Sequence, residues 1–566
     1  MSNSLQEEPL VSTPDNAKTL AVVLGLSMLF VGICGISYEY TFSRLGSDIL
    51  GDSVKQWALT IGLMMFFMGM GADLQKYLPD DLNVDNFIFL EVLLGLLGGI
   101  GPTVSLYMFG HFHDHFILIH YFFICSIGLL IGLEIPLLTR VNQRTVPSLK
   151  HNLGLILKMD YIGSFLGAVI WIFVLPLFFN VLEISFFLGI LNVGVAIFTW
   201  IWFRHWMRHP RVILLFAGCV VALLLAGLLN GKKITITAEQ KLYRDTIVHT
   251  RTTPYQRIVI TENGSGDLYL YINGHLQFSS IDEHIYHEFL VHPVMSATPV
   301  HKKVLVLGGG DGLAVREVLK YKTVESITLV DIDPAMTTMA AELPELVRLN
   351  QGSLLNQKVS PQKAGGVSPG EMVPLTERGQ GYFRRHKQVE EISVHVINLD
   401  AYQFVASISG IYDVIIIDFP DPNNPSLSKL YSLEFYALLK DKLAFDGLLI
   451  QQSSSPAAAR EAFLMIGRTL SAAGYTAIPI HHTVPSFGEW GWWIAGHQER
   501  SGITGLKARI ADGSQPLSDT RYLTRDLIRS SLYFGKGVLK TENRAINTVL
   551  DDRIFRLYQQ AWQALQ

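Results

Sequence analysis

The sequence predicts a multi-pass α-helical membrane domain followed by an α/β region built on a parallel sheet. Three observations predict this. Up to about residue 232 the chain carries about seven apolar runs, each long enough to span a bilayer. After Lys233 the composition changes to that of a globular domain. Farther on, strand-like runs alternate with helical patterns, which argues a parallel sheet with crossover helices.

In chain order, residues 1–18 form a polar, acidic tail that lacks the basic n-region of a secretory signal. The membrane domain, 19–232, has its apolar runs near 19–40, 55–75, 86–110, 116–138, 160–180, 184–203 and 212–230. TLAVVLGLSMLFVGICGISY and VILLFAGCVVALLLAGLLN are two of them. A soluble core does not give run after run of this length. Basic residues collect in two loops: Arg140, Arg144, Lys150 and Lys158, then Arg204, Arg208 and Arg211. The positive-inside rule makes both loops cytoplasmic, and one more crossing at 212–230 then puts the rest outside. Glu39, Glu91, Glu134, Asp160 and Glu183 occur in or beside these runs. They are expected near span ends, where headgroup-level solvation makes a charge cheap. HFHDH, 111–115, has one acid and no partner cluster, so a polar loop is expected there and no metal site is assigned.

Of the 566 residues 49% are hydrophobic and 17% charged, with a net charge of −4. This balance lacks the basic signature of a nucleic-acid partner. The three cysteines, Cys34, Cys125 and Cys219, lie in apolar stretches and give no disulfide framework.

Residues 233–298 read as a small antiparallel β region. QRIVIT and LYLYI flank the turn-rich ENGSGD, and Asn273–Gly274 offers a second turn. The next domain, 299–500, opens with HKKVLVLGGGDGLAVREVLKY, a strand, a glycine loop and a helix. SITLVDID, ISVHVINLDAYQF and YDVIIID supply further strands of a Rossmann-like, methyltransferase-type sheet. Residues 352–389, rich in Gly, Pro and charge, interrupt the alternation as an expected solvated insertion. The pattern of 501–566 is helical to the end.

The chemistry sits at strand ends. Gly308, Gly310 and Gly312 let backbone approach a ligand closely. Asp331 ends the next strand about 20 residues on, where an acid can hold ribose hydroxyls. Asp400 and Asp418 end two more strands, although an acid there can also cap the following helix. Asp311, inside the loop, would repel the phosphates of a dinucleotide. A nucleoside carrying a cation fits better: S-adenosylmethionine or its decarboxylated form. Asp418 and Asp421 stand three apart in YDVIIIDFPDPNNP, at the mouth of an apolar strand. Two acids placed there suit a cationic substrate, one end of which must lose a proton. Trp490, Trp492 and Trp493 are cleft wall or core in equal measure.

YQRIVI, LYLYINGHLQFSSIDEHIYHEFLVHP, KVLVLGGGDGLAVREVLKY, TLVDIDP, NLDAYQF and YDVIIIDFPDP together resemble the spermidine synthases, or polyamine aminopropyltransferases. The long membrane region and VPSFGEWGWW resemble the membrane-bound bacterial branch of that family. The resemblance implies that Gln256, Gly308, Gly310, Asp331, Asp400, Ala401 and Pro425 hold the adenosine and methylthio part of the donor. It implies that His287 and Asp311 bind the polyamine, that Asp418 is the catalytic base, and that Tyr286, Gln277 and Asp421 position the attacking amine. Decarboxylated S-adenosylmethionine is then a co-substrate, with no cofactor, and putrescine the expected acceptor. An inner-membrane protein with a cytoplasmic catalytic domain is expected from the cytosolic donor, against the loop charges. A homodimer is expected by resemblance alone.

Two departures bear on the acceptor. The family often has Ser or Thr between the two acids, where Phe419 and Pro420 stand here, and a family tyrosine is replaced around Phe487. Two alternatives remain at this level. One is a methyltransferase using intact S-adenosylmethionine; the other is a membrane polyamine transporter or sensor with a regulatory nucleoside-binding domain.

Overall fold

The structure, a computed structural model, describes residues 14–50, 53–79, 82–112, 115–143, 146, 148–355, 358–360, 392–500 and 502–564. Most of the expected insertion at 352–389, His113 and Asp114 of HFHDH, and the start of the polar tail lie outside the described residues. The chain divides into two compact units, Met1–Ile247 and Val248–Gln566.

The first unit is all helix: α1 (Pro14–Leu50), α2 (Ser53–Leu74), α3 (Asn83–His111), α4 (Phe116–Gln143), α5 (Leu149–Phe173), the short α6 (Leu175–Phe178), α7 (Val181–Phe203), α8 (Pro210–Leu229) and α9 (Gly231–Glu239). Among the described residues, seven helices are long and apolar enough to cross a membrane. Principal helix pairs are α1 with α5, α3 with α7 and α2 with α4. Small residues allow these close contacts. A Cβ on Gly132 of α4 would run into the Met68 carbonyl of α2, and one on Gly163 of α5 into the Leu29 carbonyl of α1.

The acids of this unit depart from expectation. Only Glu183 sits at a helix end, where it closes a capping box with Asn180. Glu91 and Glu134 are buried well inside α3 and α4, and Asp160 lies midway along α5. The helices extend beyond the apolar runs, so positions near a run's edge fall inside a helix.

The second unit opens with a four-stranded sheet in the order β1-β2-β3-β4: β1 (Thr246–Thr252), β2 (Arg257–Glu262), β3 (Leu268–Ile272) and β4 (His275–Ser279). Asn273 and Gly274, both at positive φ, form the β3–β4 turn. Helix α10 (Glu283–Ala297) leads to the second sheet. Its successive elements are β5 (Lys303–Gly308), α11 (Leu313–Val318), β6 (Ser326–Asp331), α12 (Pro334–Glu342), α13 (Pro344–Leu349), β7 (Lys358–Ser360), β8 (Ser393–Asn398), α14 (Ala401–Ser407), β9 (Tyr412–Asp418), α15 (Leu433–Lys440), β10 (Leu443–Gln452), α16 (Arg460–Ala472), β11 (Tyr475–Val484) and β12 (Gly488–His497). The order is β11-β12-β10-β9-β5-β6-β8-β7.

β10, β9, β5, β6, β8 and β7 run parallel, while β12 pairs antiparallel with both β10 and β11. The sheet is therefore mixed, with an antiparallel hairpin at one edge. Its central strands VLVL and VIII are fully buried on both faces, as crossover helices require. The last region is less helical than its pattern: α17 (Ile503–Asp512), α18 (Arg525–Ser531) and α19 (Arg553–Gln563) are separated by irregular segments. Those segments are tied down by side chains. Glu288 on α10, for instance, accepts the backbone N–H groups of Arg521, Tyr522 and Leu523.

Candidate active site

The switch from β5 to β9 builds the site. These strands are parallel neighbours in register, so Gly308 lies opposite Asp418. Gly308 has φ 79° and Gly309 φ 67°, backbone that favours glycine. A Cβ on Gly308 would strike the Asp418 carbonyl, and one on Gly309 would stand 2.9 Å from Asp418 Oδ2. A Cβ on Gly310 would meet Asp331 Oδ2 at 2.6 Å. The glycines thus bring the loop down onto the two strand-end acids.

Each acid is held differently. Tyr286 on α10 donates its hydroxyl to Asp418 Oδ1 at 2.6 Å. No hydrogen bond to Asp418 Oδ2 occurs among the described residues, and this oxygen faces Gly309. Asp421 has both oxygens engaged. Gln452 Nε2 donates to Oδ1 at 3.2 Å and Ser454 Oγ to Oδ2 at 3.0 Å, and Tyr558 of α19 also bonds the carboxyl. Ser454 holds φ 64°, a costly conformation for a serine that its neighbours enforce at the site. Asp311 accepts the Leu313 N–H at 2.9 Å. Asp331 accepts the N–H groups of Gly310 at 3.0 Å and Asp333 at 2.8 Å.

Desolvation raises the carboxyl pKa values. It pushes Asp418 up to about 6, with nearby Asp311 adding to the rise and His287 and the Tyr286 hydrogen bond opposing it. Asp421 and Asp331 are likewise pushed up to about 6 by desolvation. Burial also raises Asp311, against the charge of His287. Burial alone would neutralise His287, but its bond to Glu283 and the charges of Glu283, Asp311 and Asp418 outweigh it and raise the imidazole to about 9.

Glu283 anchors that imidazole. His287 Nδ1 lies 2.9 Å from Glu283 Oε2, one helical turn away. Arg316 of α11 grips the same carboxylate with both Nη atoms, at 2.8 and 2.9 Å, and donates through Nε to Glu317 at 2.9 Å. Glu317 in turn bonds His292 Nε2 at 2.8 Å. Burial opposes ionisation of Glu283, yet His287 and Arg316 hold it down to about 2.

Tyr286, His287, Asp311, Asp331 and Asp418 are thus brought together with the glycine loop, and Asp421 lies within electrostatic reach of Tyr286. Other expected residues are engaged elsewhere. Asp400 caps α14 through the Gln403 N–H and pairs with Lys429 Nζ at 2.6 Å. Ala401 opens α14 and Pro425 opens a 3₁₀ turn, Pro425–Tyr431. Gln277 donates its amide to the His275 carbonyl at 3.0 Å. Gln256 sits in a turn organised by Thr253, whose hydroxyl reaches Asp333 Oδ2 at 2.9 Å. That bond joins the turn to the end of β6.

The sequence reading overlooked Glu283, Arg316, Gln452, Ser454 and Tyr558. Only Glu283 carried a local signal, its i,i+4 spacing to His287. Trp492 is core: fully buried, stacked on Phe289 at 5.6 Å and tilted against Tyr286 at 5.6 Å. Phe487 packs edge-on to Tyr286 at 6.0 Å. Among the described residues, no three His, Cys, Asp or Glu side chains gather as a metal site.

The spermine/spermidine synthase domain matches residues 283–346 and 380–504. A polyamine aminopropyltransferase of Oceanobacillus iheyensis is 37% identical over 97% of this chain and 99% of its own length. One from Leptospira interrogans is 39% identical over 85% of this chain and 88% of its own, and polyamine aminopropyltransferase 1 of Streptomyces coelicolor is 34% identical over the whole of both. A crystal structure of spermidine synthase in complex with the transition-state analogue AdoDATO aligns with a TM-score of 0.40 at 22% identity, over 52% of this chain and 88% of that one. With similarity to the full-length relatives spanning both units, the chain belongs to the polyamine aminopropyltransferase family.

Proposed function

We propose that this chain transfers the aminopropyl group of decarboxylated S-adenosylmethionine to putrescine, releasing methylthioadenosine and spermidine. The single observation that carries the assignment of roles is the contrast between Asp418 and Asp421. Asp418 has one oxygen fixed by Tyr286 and one facing the glycine loop, whereas Asp421 has both engaged by protein donors. Asp418 is therefore the base, acting through Oδ2, and Asp421 a positioning group. A primary amine has a pKa near 10, like that of Lys. The attacking nitrogen must shed a proton, and a desolvated carboxylate accepts it. The amine lone pair then forms the nitrogen–carbon bond while the carbon–sulfur bond breaks and sulfur keeps its electron pair. Asp331 and the Gly310 backbone would seat the donor, with Gln256, Asp400, Ala401 and Pro425 around its adenosine. Asp311 and His287 would face the distal ammonium, and three carboxyl groups against one imidazolium suit a dication.

The helical unit, in this reading, is a seven-span inner-membrane domain (19–232). The small β region (233–298), the catalytic domain (299–500) with its insertion at 352–389, and the C-terminal region (501–566) lie in the cytoplasm, where the donor is made, and the assembly is a homodimer. Full-length protein in detergent is supplied with decarboxylated S-adenosylmethionine and putrescine, cadaverine or spermidine, and methylthioadenosine release is followed. Release with putrescine and formation of spermidine are expected. Absence of release with all three amines would overturn the reading. Alkaline phosphatase fused after Gln566 tests the side of the membrane, and active phosphatase would contradict a cytoplasmic catalytic domain.

A further inference from the structure

Four helices of the first unit converge on polar groups that the transfer chemistry does not use. Glu91 of α3 is fully buried. Asn192 of α7 donates Nδ2 to Glu91 Oε2 at 2.7 Å and to the Glu91 carbonyl at 3.1 Å. Both acceptors are oxygens, so the amide orientation is fixed by chemistry and Asn192 Oδ1 remains an acceptor. The Glu134 carboxyl of α4 adjoins that of Glu91. Tyr38 of α1, also fully buried, lies within electrostatic reach of both carboxyls. Glu91 Oε1, Asn192 Oδ1 and Tyr38 Oη have no hydrogen-bond partner among the described residues. The backbone is shaped around this cluster. Gly95 and Gly189 let α3 and α7 touch, and the Tyr38 ring packs on Gly98.

We propose that this cluster is a binding site for a primary alkylammonium ion, separate from the transfer site. An ammonium group presents three N–H donors and no acceptor. The bundle offers three uncommitted oxygens, one of them on Glu91, beside the adjoining Glu134 carboxyl. A calcium ion asks for about six to eight oxygens, and magnesium for a near-ideal octahedron. Buried oxygens of this kind in an apolar helical bundle are costly unless partnered, and an ammonium group supplies the donors. The inference does not depend on the transferase reading.

The test is equilibrium dialysis of ¹⁴C-labelled 1,4-diaminobutane against the full chain in detergent, with methylthioadenosine release measured in parallel. Wild type is expected to saturate at two equivalents per chain, and Glu91→Gln at one, with its release rate unchanged. Tyr38→Phe, which loses only a hydroxyl, is expected to weaken the second equivalent roughly tenfold. One equivalent in wild type, or two undiminished equivalents in both variants, would overturn the proposal. So would displacement of the second equivalent by sodium as readily as by methylammonium at equal ionic strength. If no protein releases methylthioadenosine, the transferase reading fails, yet selective loss of one equivalent in the bundle variants would still sustain this site.

Discussion

Both units bury carboxyl groups, but they treat the oxygens differently. In the α/β unit, Glu283 and Glu288 are almost inaccessible and saturated: an arginine fork and an imidazole for one, three backbone N–H groups for the other. In the helical unit, Glu91 is equally buried and keeps Oε1 uncommitted. Asp418 is the α/β counterpart of Glu91, with one oxygen fixed and one left over. A buried polar atom without a partner costs about 1–3 kcal/mol, so acids with spare oxygens are informative. Saturated acids tie elements of the fold together, whereas the half-committed ones keep an oxygen with no partner among the described residues.

The largest effect is expected from Asp418→Asn. It keeps the shape and removes the proposed base, so kcat should fall by about 10²- to 10⁴-fold, while calorimetric binding of methylthioadenosine persists. Near-normal turnover would strip Asp418 of its role. The wild-type rate should also rise with pH as Asp418, held at about 6, ionises, giving an acid limb that follows log kcat near that value.

Glu283→Gln probes a saturated acid. It leaves Arg316 and His287 without their shared counter-charge, and about 3–5 kcal/mol of stability should be lost in chemical denaturation. The sign of the pH effect is set by His287, whose folded value is raised to about 9 from 6.5. Its contribution is fully present below 6.5 and is lost as pH rises through 9. That alkaline loss should vanish in the variant; an unchanged profile would place it elsewhere.

Tyr286→Phe leaves Asp418 Oδ1 without its donor. A hydrogen bond to a charged group is worth about 1.5–3 kcal/mol, so kcat should drop about ten- to a hundredfold and the acid limb should shift to higher pH. The smallest effect is expected from Phe487→Tyr, which adds a hydroxyl beside Tyr286. One net hydrogen bond is about 1 kcal/mol, so KM for putrescine should improve by less than about tenfold. No change in any amine's KM would remove Phe487 from acceptor choice.

Much of the site was legible because its chemistry is strung along strand ends. VLVLGGGDG announced a strand, a tight loop and a helix, and Asp331 and Asp418 close apolar strands that must lie parallel beside it. Tyr286 and His287 were legible only through the family resemblance. Asp400 shows the limit of the strand-end rule, since its charge is shared with a helix cap and Lys429. The mixed sheet was hidden because an antiparallel edge hairpin has the same apolar pattern as a buried parallel strand.

By itself the sequence determined what is local: long apolar helices, alternating strands, and a glycine loop whose backbone no other residue could adopt so near an acid. The tertiary structure alone decided which acids keep an oxygen uncommitted. Asp418 and Asp421 are three residues apart, yet Gln452, Ser454 and Tyr558 arrive from β10, its following turn and α19 to engage only one of them. Glu283 and Arg316, 33 residues apart, become a fork only when α10 and α11 pack. Hydrogen-bond commitment depends on donors brought from distant parts of the chain, and no local pattern encodes their arrival.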